Sequence, residues 1–175
     1  MDLYVEWTRS NPLLSAAIQF AVLGTLGEVL SHVLRSRRLE APFGFVAFLF
    51  KVAAWGLLGV FVKFGFVGIK GAFAALMEHG YLPELVSQGL GRALAVSVLL
   101  NLFFGPQLMV FHRLEDCLIE RRWNMAGLKF AFGTLLWFWI PAHTVTFSLP
   151  VSFQVGLAAL WSLVLGIILG LAKPR

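Results

Sequence analysis

Five runs of apolar residues, each near the length needed to cross a bilayer, constrain this chain more than any other feature. A spanning helix needs about 20 mostly apolar residues. Lipid offers no partner for backbone N–H and C=O groups, so those groups must bond within the segment. The runs cover about residues 13–34, 43–62, 90–111, 128–147 and 150–172. The expected fold class is therefore all-α: a polytopic membrane helix bundle of four to five transmembrane helices, in one domain over residues 1–175. Charge content agrees. Only 13% of residues are charged, against about 25% in soluble proteins, too few to cover a water-exposed surface.

Local signals place the boundaries. Asn11-Pro12 starts the first helix and Ala41-Pro42 precedes the second, since proline suits the first helical turn. Lys51 interrupts the second run, and the glycine-rich stretch from Lys63 to Met77 either prolongs that helix or lies at the interface. Gly80-Tyr81-Leu82-Pro83 marks a turn, and Gly105-Pro106 predicts a kink in the third run. Residues 112–124 are dense in charge and read as a polar loop or surface helix. Ser148-Leu149-Pro150 separates the last two runs, as a tight hairpin or a break in one helix.

Charge decides the span count. With five spans, Arg35, Arg37, Arg38, Arg113, Arg121, Arg122, Lys129, Lys173 and Arg175 fall on one side, leaving Arg9, Lys63, Lys70 and Arg92 opposite. That is the positive-inside asymmetry, with the N-terminus out and the C-terminus in. Four spans would put the C-terminal charges on the wrong side. The acidic start, Met1 to Glu6, resembles neither a cleavable signal nor a transit peptide, so the first span is expected to direct insertion. The expected location is multi-pass in a bacterial inner membrane or an organelle membrane.

Polar residues inside apolar runs are costly and informative. Glu28 and His32 share a face of the first helix at i,i+4, while Gln19 lies on the opposite side. Asn101 is mid-span in the third run, His143, Thr144 and Thr146 end the fourth, and Gln154 lies in the fifth. Glu28, His32, Asn101, His143 and Thr146 are thus candidates for a polar path. The competing reading is polar glue between helices, with Glu28 held by His32 or an arginine. Gly56, Gly59, Gly65 and Gly68, with Gly71, recur at spacings of three or six, and Gly166 and Gly170 form a GxxxG pair. These glycines are candidates for close helix packing or a dimer seam. Trp137, Phe138, Trp139 and Trp161 fit interfacial anchors or packing residues.

No glycine-rich phosphate loop, GxSxG elbow or metal-spaced His/Cys set occurs. Cys117 is the single cysteine. The reading is therefore of a non-enzyme without cofactor, metal or catalytic residues. The net charge of +5 flanks apolar runs and suits lipid headgroups rather than nucleic acid. Membrane lipids, a second copy or membrane-complex partners are the expected contacts.

Several of these residues, in order, resemble the Mpv-seventeen/PMP-twenty-two family of peroxisomal and mitochondrial inner-membrane proteins. Asn11-Pro12 leads to Gly24-Thr25-Leu26-Gly27-Glu28-Val29-Leu30-Ser31-His32, similar to the family's His-Pro followed by a glycine-rich helix ending in Gly-Asp-x-x-x-Gln, with Asn11 in the His place and Glu28 and His32 in the Asp and Gln places. Gly65-Phe66-Val67-Gly68 through Gly80-Tyr81-Leu82-Pro83 is similar to the second motif, with Ile69 and Ala74-Ala75 departing from it. Asn101 with Pro106 resembles Asp-Gln…Pro. Trp139-Ile140-Pro141-Ala142-His143-Thr144-Val145-Thr146-Phe147-Ser148-Leu149-Pro150 resembles the C-terminal signature, with His143 in place of Gln, Thr146-Phe147 in place of Asn-Phe and one residue missing before Pro150, and Trp161 resembles the final Trp at a shorter spacing. The resemblance implies a bundle usually drawn with four spans, and a weakly selective channel tied to membrane potential.

Two functions fit. One is a channel or pore for ions or small metabolites, lined by Glu28, His32, Asn101 and His143. The other is a non-conducting membrane scaffold or subunit of a larger complex. A secondary transporter ranks behind them because no internal repeat is visible.

Overall fold

The computed structural model describes residues 2–171, and side-chain surroundings for residues 3–168. An amphipathic helix, α1 (Asp2–Ser10), is followed by α2 (Pro12–Ser36) and α3 (Phe45–Glu78). A short turn of 3-10 helix at Glu84–Val86 leads to α4 (Gly89–Ile119), α5 (Leu128–Phe147) and α6 (Val151–Leu171). No strand occurs among the described residues. Helices α2 to α6 are the five that are long and apolar enough to cross a membrane. Five helices thus have the length and composition to span, where the family resemblance implied four.

Two boundaries differ from the sequence reading. The stretch from Lys63 to Met77 prolongs α3 as one unbroken helix of 34 residues. The charged stretch after residue 111 is neither a loop nor a surface helix at first: α4 runs on to Ile119. Hydropathy averages over the helix circumference, so a charged face aimed inward reads as a loop.

Packing follows side-chain size. Ala16, Phe20, Gly24, Gly27 and Ser31 recur every three or four residues and form the buried face of α2. Small residues there let two backbones approach, and α2 packs along α3 on one flank and α6 on the other. A β-carbon on Gly59 would overlap the Ala16 carbonyl, and one on Gly166 would lie 2.8 Å from the Gly27 carbonyl oxygen. Gly65 makes room for the Phe104 ring, and Gly56 lies in ordinary contact distance of α2. Gly68 and Gly71 differ from the expected smooth stripe: they face open space with no neighbour within 4 Å. Gly170 lies outside the residues whose packing is described, as do Lys173 and Arg175. Large apolar side chains such as Phe64, Val67 and Leu136 point outward, as lipid contact requires.

Helices α4 and α5 each widen by a turn of π-helix, at Leu100–Phe104 and Leu135–Trp139. Pro106 and Pro141 follow closely. Proline lacks an N–H and its ring collides with the carbonyl four residues back. A widened turn relieves both problems, and such turns often mark functional sites. The two widened turns approach each other. The core beside them is Ala16, Phe20, Val62, Phe66, Val96, Leu100, Phe147, Val155 and Ala159.

Candidate functional site

Lys51 is the hub of the site. It lies inside the bundle with only 4% of its surface exposed, where an unpaired ammonium would be prohibitively costly. Three helices supply its partners. Its Nζ lies 3.1 Å from Glu28 Oε2 of α2 and 2.5 Å from Asp116 Oδ1 of α4, with Glu120 Oε1 at 3.9 Å. Trp55, one turn along α3, donates its indole N–H to Glu28 Oε1 at 2.7 Å. Gly24 permits this, because a β-carbon there would overlap the Trp55 ring. Arg113 Nη1 lies 3.6 Å from Asp116 Oδ2, and the His112 ring lies 4.7 Å from that of Trp55. Glu28 is therefore held by Lys51 and Trp55, and not by His32 or an arginine as expected.

Glu28, His112 and Asp116 bring ligand atoms within 4.8 Å of one another. The spacing suits a cation, and the Lys51 ammonium already lies against both carboxylates.

The cluster borders a cavity of about 600 Å³ that runs along α3 from Lys51 to Phe66. Fifteen residues of helix separate those two, about 22 Å. Glu28, His32, Asn101 and His143 all line it, although they come from three different helices. Thr146 does not: it is fully buried, donates to the Ala142 carbonyl and accepts from Trp161 Nε1 at 3.2 Å. Trp139 packs inside against His143, with ring centroids 5.1 Å apart, whereas Trp137 faces outward.

The deep end is a defined network. Asn101 Nδ2 donates to the Ser97 carbonyl at 2.8 Å and meets His143 Nδ1 at 3.2 Å. Ser97 Oγ donates to the Ile140 carbonyl at 2.7 Å. An amide N–H needs an acceptor, so His143 Nδ1 accepts and the neutral ring carries its proton on Nε2. Asn101 is placed by the π-turn of α4, and His143 lies one turn beyond that of α5.

Phe20, Val62 and Phe66 line the same cavity and belong to the apolar core. Gln19 and Lys63, the sequence neighbours of Phe20 and Val62, line with Val155 a second cavity of about 310 Å³, which also takes in Thr8, Arg9 and Ser15. Gln19 and Glu28 thus serve separate cavities. Lys51, Trp55 and Asp116 were missed as site residues in the sequence. Lys51 read as a fault in a span, although a lone lysine in an apolar run is itself a signal of a buried partner.

No protein-family model matches the chain, and no curated protein or solved structure matches it.

Proposed function

We propose that this integral membrane protein is a conduit for ions or small metabolites, seen with its apolar gate closed. One observation carries the reading: Glu28, His32, Lys51, Asn101 and His143, polar residues within the apolar helices, line one continuous cavity, whose lining residues Phe20 and Val62 are sequence neighbours of Gln19 and Lys63 in the wall of a second. Hydrophobic constrictions of this kind gate by excluding water, and charged mouths set ion preference. Glu28, Lys51 and Asp116 form the mouth; Phe20, Val62 and Phe66 form the gate. The arginine-rich end, with Arg35, Arg37, Arg38, Arg121 and Arg122, faces the cytoplasm or matrix by the positive-inside rule. The family resemblance is part of the proposal and supplies its precedent, since Glu28 and His32, in the places of the family's Asp and Gln, both line the cavity. No catalysis is assigned.

The test is conductance of purified protein in a planar bilayer, with Glu28→Gln and Phe66→Ala beside the wild type. Discrete openings are expected, with reversal potential shifted in Glu28→Gln and open probability raised in Phe66→Ala. Silence from all three in demonstrably folded form would refute the conduit and favour the scaffold, in which the same polar contacts only lock helices together.

A further inference from the structure

The two cavities differ in how their charges are compensated. At the Lys51 end, carboxylates surround the cation. At the other end, Arg9, Lys63, Lys70 and Arg92 form no salt bridge among the described residues. Among the residues whose side chains are described, the carboxylates at this end, Glu6, Glu78 and Glu84, are exposed, as are Arg9 and Arg92. Lys70, half-buried, and Arg92 contact neutral groups instead. Lys70 Nζ donates to Gln154 Oε1 at 2.8 Å and lies 5.9 Å from the Phe147 ring centroid. Arg92 lies 5.5 Å from that of Phe73. Amide oxygens and ring faces orient a cation and leave its charge uncancelled. Lys63 and Lys70 are seven residues apart on α3, one face and about 10 Å.

We propose that this end holds an oxyanion site, centred on Arg9 and Lys63, that takes a phosphate or carboxylate group. Both side chains line the cavity of about 310 Å³. Helix α1 carries Arg9 over it and is tied in place twice. The Tyr4 hydroxyl donates to Gln19 Oε1 of α2 at 2.8 Å, and the Tyr4 ring stacks on Phe153 of α6 at 5.5 Å. Gln19 Nε2 in turn donates to the Ser15 carbonyl at 2.9 Å. Arg9 offers the planar fork that suits oxyanions, and Lys63 a point charge. Lys70 and Arg92 add field from beyond the cavity. Within the conduit reading, on which this consequence rests, the site favours anions entering from this end. The same chemistry is offered by a free small anion and by a lipid phosphate.

The test reads binding without current. Wild type, Arg9→Gln and Lys63→Gln are placed in nanodiscs of phosphatidylcholine, with Arg37→Gln as a control at the far end, and titrated with inorganic phosphate by calorimetry. In parallel, each is extracted from vesicles containing a minority of phosphatidylglycerol, and retained lipid is measured by mass spectrometry. Circular dichroism checks the fold. Saturable phosphate binding, weakened about tenfold or more in Arg9→Gln and Lys63→Gln and intact in Arg37→Gln, establishes the site with a free anion as occupant. No phosphate binding, but selective retention of phosphatidylglycerol that both variants lose, establishes it with a headgroup as occupant. Folded wild type that does neither, or variants that retain what the wild type does, overturns the proposal. A silent bilayer with intact binding would refute the conduit alone; conductance without binding would refute the oxyanion site alone.

Discussion

Replacing Lys51 by methionine tests the site at its centre. Methionine keeps most of the length and removes the charge. In the structure, one ammonium faces Glu28 at 3.1 Å and Asp116 at 2.5 Å. At 3.1 Å and an effective dielectric near 20, a unit pair is worth about 5 kcal/mol before desolvation is counted. Desolvation offsets much of that, and the carboxylates are 24% and 15% exposed, so water recovers part of the loss. Removing one partner of a buried pair typically costs about 3–5 kcal/mol, because the other charge stays behind unpaired. Two carboxylates stay behind here, and Lys51→Met is expected to lose about 3–5 kcal/mol. Unfolding in mixed detergent micelles, followed by circular dichroism against dodecyl sulfate fraction, measures it. The combined variant Lys51→Met, Glu28→Gln, Asp116→Asn should recover most of the loss, since no charge is then stranded. A Lys51→Met protein within about 1 kcal/mol of wild type would show that the cluster is hydrated and does not join α2, α3 and α4 as argued.

Glycine positions divide by what a methyl group would meet. Gly59→Ala should cost about 1–3 kcal/mol by forcing α2 from α3, while Gly68→Ala, facing open space, should be neutral or stabilising by up to about 1 kcal/mol; the same detergent titration ranks them, and equal effects would sink the packing argument. Asn101→Leu removes the donor to both Ser97 and His143 and should cost about 1–3 kcal/mol, with a proton resonance of the His143 ring shifting in the nuclear magnetic resonance spectrum; an unmoved resonance would refute the contact.

The membrane fold was legible because lipid leaves few alternatives. Run length located the five apolar helices, although the second and third extend well past the runs read, and the fourth ended where it was read, at Leu128 and Phe147. The polar candidates Glu28, His32, Asn101 and His143 were visible for the same reason: in an apolar run, each polar residue stands out. Their partners were not. Lys51 and Asp116 are 65 residues apart in sequence, and no local periodicity reports a contact of that range. Asp116 was hidden further by its neighbours, because Arg113, Glu115, Glu120 and Arg121 made the stretch look solvated although its helix continues. The π-turns were half visible. Pro106 and Pro141 announced a disturbance, but a kink, a break and a widened turn share the same sequence signal.

The widened turns give the cavity a cause. A close-packed five-helix bundle leaves little room between its members, and space of about 600 Å³ requires something to hold helices apart. Two features do so at opposite ends of that space. At its deep end, π-turns in α4 and α5 widen the helices just before each proline, and Asn101 lies against His143. At its mouth, Lys51 and its carboxylates are pairs that attract but cannot collapse into hydrocarbon contact, since each must keep its polar partners. Apolar substitution at either end should therefore shrink the cavity even where the fold survives. Asn101→Leu with His143→Leu can pack as a dry pair, and in a conduit it would lower permeation without touching the charged mouth. Measured permeation that survived this double replacement, in folded protein, would place the path elsewhere in the bundle.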